Sequence, residues 1–188
     1  MKIIITSIAM LGILLPGMAQ NVKTTFQTSS HWKPTIDVRA DAVMVYGTGS
    51  SPQISFQERV DSWRKQGYTT HFMTGIAWGG YSDYFTGKWD GKQHMDEGQK
   101  DMKGDTIVHN PGTPYIVPTL NYLKYFKETQ IKPVIDAGIR EIFLEEPEVW
   151  AFAGYSESFK REWQAYYGFP WRAQHLSAEN TYLSNKLK

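Results

Sequence analysis

The 188-residue chain contains no cysteine. That excludes a disulfide framework, a thiolate zinc site, a thiol nucleophile and a lipid-anchored cysteine. It also lacks charge of one sign. Lys plus Arg number 20 against 19 Asp plus Glu, for a net charge of +1. A nucleic-acid-binding surface would need a basic excess, and an acidic tail would need the opposite, so neither class is supported. Long hydrophobic runs are scarce too, and the longest is at the N-terminus. Aromatic residues, in contrast, are plentiful at 14%, with 7 Trp, 11 Tyr and 9 Phe. With 41% hydrophobic residues the chain can build a core, which rules out a disordered or collagen-like polymer.

The N-terminal run has the layout of a secretory signal. Lys2 supplies the positive start, Ile3 to Leu15 is mostly apolar, and Pro16-Gly17 breaks it. Gly17 and Ala19 place small residues at −3 and −1, so residues 1–19 read as a signal peptide cut after Ala19. The run is shorter than the roughly 20 apolar residues a membrane span needs. The expected location is periplasmic or extracellular, with no membrane attachment after cleavage. Without Lys2 the basic and acidic side chains balance.

Residues 20–40 are polar and read as a lead-in segment, followed by a domain over 41–188. Asp41 to Tyr46 is an apolar run closed by Gly47-Thr48-Gly49, which suits a buried strand. Ser55-Phe56-Gln57-Glu58 has capping-box spacing, and Phe56, Val60 and Trp63 share a helical face that Gly67 ends. Further strands are expected over Tyr68–Ala77, Pro114–Pro118 and Glu141–Glu146. Helices are expected over Thr119–Gly138, kinked or restarted by Pro133, and after Ser156, with Phe159, Trp163, Tyr166 and Tyr167 on one face. Between them, Tyr81 to Thr113 is a glycine-rich stretch with weak periodicity, long for a connection.

Four strands, each leading into a loop or helix, predict an α/β fold with a parallel sheet. A closed (β/α)8 barrel takes about 250 residues. Four βα units therefore read as the first half of such a barrel, hence a truncated chain, with a small open parallel α/β sheet as the alternative.

The sharpest chemical feature is Leu144-Glu145-Glu146-Pro147-Glu148, where three carboxylates crowd the end of an apolar strand. Strand alternation puts Ile142, Leu144 and Glu146 on one face and Phe143 and Glu145 on the other. Like charges held close disfavour ionisation, which is how a carboxylic acid is kept able to donate a proton near neutral pH. Barrel enzymes carry their chemistry at this end of the strands. A second feature is the aromatic density of Trp78, Tyr81, Tyr84 and Trp89, with Asp83 among them, Asp90 just after and Trp150 further on. Aromatic faces stack on the C–H faces of sugar rings while carboxylates bind hydroxyls, so Trp78, Tyr81, Asp83, Tyr84, Trp89 and Trp150 are candidate saccharide contacts. His71, His94 and His109 match no zinc spacing, so no metal is expected. Gly47-Thr48-Gly49-Ser50-Ser51 lacks the Lys and full spacing of a phosphate loop and reads as a tight βα turn. No cofactor is expected.

Phe143-Leu144-Glu145-Glu146-Pro147-Glu148 resembles the fourth-strand motif of clan A glycoside hydrolases, among them the family 42-like β-galactosidases. In that clan the motif is usually Asn-Glu-Pro. The resemblance implies a (β/α)8 fold, an oligo- or polysaccharide substrate, and Glu146 as general acid/base. Glu145 stands where the clan has Asn, and is expected to contact substrate or to tune the pKa of its neighbour. Residues 154–171 also resemble secreted members of this broad group. Such enzymes retain anomeric configuration by using a second carboxylate, about 5 Å from the acid, as nucleophile. The resemblance puts it on a seventh strand, absent from this sequence, so these residues alone are expected to be inactive. Two other readings stay open: a non-catalytic carbohydrate-binding protein, and a small α/β domain of unrelated function.

Overall fold

The computed structural model describes residues 22–49, 53–79, 81–146 and 152–173. The expected leader, Pro147, Glu148 and Trp150 lie outside the described residues. The centre is a parallel sheet of β1 (Thr25–Thr28), β2 (Ala42–Tyr46), β3 (Thr69–Gly75) and β6 (Ile142–Glu145). The strands neighbour one another in chain order, each parallel to the one before. The fold is therefore α/β with a parallel four-stranded sheet.

Two expectations are corrected here. Thr25–Thr28 falls inside the polar lead-in, yet pairs with β2 from Thr25↔Ala42 to Thr28↔Val45. As an edge strand it buries little, and Phe26 is its single large apolar residue, so no hydrophobic run marks it. Conversely, the run Pro114–Pro118 does not join the parallel sheet. Only Thr113–Pro114 is strand (β5), paired antiparallel with β4 (Val108–Asn110), while Ile116 bridges Gly98. A proline at each end removes the N–H groups a central strand must donate.

Between β2 and β3 lies α1 (Phe56–Arg64), which starts at the predicted capping box. Ser55 N–H donates to the Glu58 carboxylate at 2.8 Å, and Glu58 N–H donates back to Ser55 Oγ at 3.2 Å. Gly67 sits at φ 87°, a conformation that glycine adopts without penalty. Phe56, Val60 and Trp63 are buried. They meet Val43, Val45 and Phe72 from the sheet, and Val134 from a later helix, in one core.

The crossover from β3 to β6 holds a short α2 (Ser82–Phe85) and the β4–β5 hairpin. A long helical stretch follows: α3 (Leu120–Phe126), a π-helical turn (Lys127–Ile131) and α4 (Lys132–Asp136). Pro133 cannot donate to the carbonyl four residues back, and the widened turn absorbs that defect. This is the expected interruption. Tyr81, Tyr84, Phe85, Ile116, Tyr122, Tyr125 and Phe126 form a second, aromatic core against α3. After β6, α5 (Glu157–Tyr167) is capped by Ser156 and closed by Gly168 at φ 76°. Tyr166 is 82% exposed and lies off the face expected to bury it. Among the described residues, no helix is long and apolar enough to cross a membrane.

Candidate functional site

Side chains along a strand alternate, so the sheet has two unlike faces. Val43, Val45, Phe72 and Ile142 point to the face covered by α1 and α4. Met44, Tyr46, His71, Met73, Phe143 and Glu145 occupy the other face. There Met44, Tyr46 and Met73 are only half-buried, and Phe143 is 44% exposed.

At the C-terminal end of this second face, three strands converge on one glycine. Gly75 is in register with Glu145 of β6, and Tyr46 ends β2 on the other side. Adjacent strands are spaced by about 4.8 Å, so β2 and β6 lie about 10 Å apart. Tyr46 and Glu145 lie on the same face across that gap, close enough for the carboxylate to act on the phenol. Burial and the negative charge of Glu145 push the Tyr46 phenol up to about 12, so it remains a proton donor throughout the physiological range. Any side chain at position 75 would collide with Trp78, whose carbonyl oxygen lies 2.8 Å from the site of a Cβ and whose Cε2 lies 3.2 Å away. Glycine is therefore what lets Tyr46, Trp78 and Glu145 share this rim. The Trp78 ring also stacks on His109, with centroids 4.4 Å apart and planes 15° from parallel. Its buried indole N–H has no acceptor among the described residues.

Glu146 follows the strand and is exposed. It takes a left-handed backbone, at φ 47°. A non-glycine residue adopts that conformation at a cost, and such strain gathers at functional positions.

Beyond Tyr46 the rim continues into a cavity of about 510 Å³ lined by Ser29, Ser30, His31, Tyr46, Gly47 and Arg59, among others. Arg59 is 6% exposed. Its Nη1 donates to the carbonyls of Ser29 (2.8 Å) and Tyr46 (3.1 Å). Its Nη2 donates to those of Gly47 and Gly49, both at 2.7 Å. One guanidinium thus fixes the loops that leave β1 and β2. Burial lowers its pKa, yet an arginine stays charged.

The aromatic loop residues separate into two groups. Trp78 joins Glu145 and Glu146 at the strand ends, whereas Tyr81, Asp83, Tyr84 and Trp89 stand behind them around the second core. Their polar atoms are engaged within the fold. The Tyr81 hydroxyl donates to the Gly75 carbonyl, and Asp83 accepts from the Tyr125 hydroxyl at 2.6 Å. Tyr84 donates to the Glu97 carboxylate, and Trp89 Nε1 to Glu128 at 3.2 Å. Glu97, only 3% exposed, also accepts from Thr119 and Asn121. The His94 ring lies flat on Tyr84, with Asp90 at 3.1 Å from one ring nitrogen and Glu97 at 3.5 Å from the other. The three histidines occupy separate settings: His71 Nδ1 lies 2.8 Å from Glu141, His94 sits between carboxylates, and His109 stacks on Trp78.

Sequence reasoning missed Tyr46, Arg59 and Glu97. Tyr46 had a signal, a polar tip closing a buried strand before Gly47. Arg59 had one too, since it falls on the same α1 face as Phe56, Val60 and Trp63. Glu97 had none, because the groups that donate hydrogen bonds to it are 13 to 24 residues away.

Comparison with known proteins returned no matching family model, no matching curated sequence and no matching solved structure.

Proposed function

We propose that this chain is the N-terminal part of a secreted glycoside hydrolase that cleaves O-glycosidic bonds with retention. In this reading its sheet is the first half of a (β/α)8 barrel, and Glu146 is the general acid/base. The observation that carries the reading is the position of Glu145 and Glu146. They stand at the C-terminal end of the fourth of four adjacent parallel strands, where barrel enzymes place their chemistry. The one-sided packing supports it as well. The core contributed by α1 and α4 lies on a single face, as around a barrel, while a doubly wound sheet has helices on both.

Glu146, exposed on a strained backbone, protonates the departing glycosidic oxygen and later takes a proton from the attacking water. Glu145, on the same face as Tyr46, fixes a substrate hydroxyl. The half-buried Trp78 ring, stacked on His109 at the strand ends, is an aromatic surface of the kind on which sugar rings stack. A nucleophile carboxylate comes from a later strand. No metal or cofactor takes part.

The test is turnover of aryl β-glycosides by the protein as its native host secretes it. Glu146→Gln lowers kcat by about 10²–10⁴-fold, the range for losing a general acid/base, and leaves saccharide binding intact. Wild-type turnover in that variant overturns the assignment. A non-catalytic carbohydrate-binding protein is the second reading, favoured by the four-stranded extent of the sheet among the described residues. It predicts binding with no turnover in any form of the protein.

A further inference from the structure

The cavity beside Tyr46 is walled by a charge that no described residue lining it balances. Arg59 is buried at its wall, and its four acceptors are all carbonyl oxygens. The described residues that line the cavity include no carboxylate. Arg59 Nε–H is buried with no acceptor among the described residues. A buried charge left without a counter-charge is costly, so the site favours whatever supplies one. The other polar residues lining the space are Ser29, Ser30, His31 and Tyr46.

We propose that this cavity is a subsite for a carboxylate carried by the ligand, in saccharide terms a uronic acid. The proposal rests on the carbohydrate reading for its sugar and on Arg59 for its anion. A monoanion fits better than a phosphate. Phosphate is typically gripped by a fork of two parallel guanidinium N–H groups, and here both Nη atoms are committed to the backbone. The uncompensated charge, the serine residues and an imidazole remain, which suits a single carboxylate. Position fits as well. Tyr46 lines the cavity and ends β2, two strands across from Glu145 at the same end of the sheet. A sugar acid seated here lies next to the candidate catalytic glutamates.

The experiment follows amide chemical shifts of the full 188-residue chain during titration with D-glucuronate, D-glucose and acetate. Arg59 itself is a poor variant because its loss frees four carbonyls. Ser30→Asp instead places a negative charge at the cavity wall, and thermal unfolding checks that the fold survives. Glucuronate should bind at least tenfold more tightly than glucose, shift the amides of Ser29, Ser30, His31 and Gly47, and lose that advantage in Ser30→Asp. Acetate that shifts the same amides while neither sugar binds supports the anion subsite and removes the saccharide reading. Glucose bound as tightly as glucuronate, both untouched by Ser30→Asp, overturns the anion subsite and keeps the saccharide reading. No shift at these amides with any of the three probes overturns the subsite. The Glu146→Gln assay then decides the carbohydrate reading on its own.

Discussion

The core between the sheet and α1 is built mostly from side chains with nothing to hydrogen-bond, whereas the core around α3 is built from phenols whose hydroxyls end on oxygen. In the first, Val43, Val45, Phe56, Val60 and Phe72 pack by shape, and Trp63 meets Phe26 and Tyr68 edge to face at 5.3 and 5.0 Å. In the second, Tyr81, Tyr84, Tyr122 and Tyr125 donate to Gly75, Glu97, Ile76 and Asp83. Packing by shape stabilises wherever the side chains fit. A phenol core does so only while each hydroxyl keeps its proton and its acceptor. The first core supports the strands, and the second fixes the loop that carries Trp78 to their ends.

Alkali should separate the two most strongly. Burial raises the pKa of Tyr81, Tyr84, Tyr122 and Tyr125 above the usual phenol value, with the neighbouring carboxylates Glu97 and Asp83 adding to it for Tyr84 and Tyr125. In the unfolded chain these groups ionise near pH 10. Their contribution is therefore complete below pH 10 and is lost as pH rises toward the folded values. For each phenol kept neutral the loss is about 1.4 kcal/mol per pH unit. The first core contains one tyrosine, Tyr68. Tyrosinate absorbance should rise cooperatively above pH 10 together with loss of amide protection in α3. A gradual rise in absorbance with α3 still protected would show that the phenols are open to solvent, and the contrast would fail.

Trp63→Ala should do the reverse. The side chain is fully buried, and Nε1 donates to the Ser30 carbonyl at 3.0 Å. Its removal costs about 3–5 kcal/mol, read as a shift in the denaturant midpoint. Losing less than 1 kcal/mol would mean that the sheet is held elsewhere.

These two regions were not equally legible. The capping box, the face of Phe56, Val60 and Trp63 and the apolar run of β2 are local patterns, and each folds as its spacing dictates. The fourth strand was legible for the same reason, but it ends at Glu145, and the left-handed backbone of Glu146 takes that residue out of the alternation expected of it. β1 was not, because an edge strand needs one buried face and Phe26 alone supplies it. The second core was read as a saccharide loop. Its tyrosines and Asp83 carry no mark that tells a hydrogen-bonded interior from a binding surface. That difference is made by Glu97, Thr119 and Tyr125, which meet the loop only in three dimensions.

Glu97→Gln sharpens the comparison within the second core. The carboxylate accepts from Tyr84, Thr119 and Asn121, and an amide can keep only some of these acceptor contacts. Leaving a buried donor unsatisfied costs about 1–3 kcal/mol. The loss should fall on amides of the loop over 94–119, measured by hydrogen exchange, with β2 and β3 keeping their protection. An equal loss in the sheet would mean that the two cores unfold as one unit.

The smallest effect has the opposite sign. Glu146 holds φ 47° where glycine would pay little, so Glu146→Gly should leave stability unchanged or raise it by up to about 1 kcal/mol. Glycine's looser unfolded chain offsets part of the relief, which keeps the gain small. A glutamate kept for the sheet's sake would instead cost stability when removed. The same variant should lose turnover as fully as Glu146→Gln, because both lack the proton donor. Stability preserved and activity lost would mean that the strained backbone is held in place for the carboxylate it presents. Stability lost in Glu146→Gly would make Glu146 a structural residue and remove the strain argument for its catalytic role.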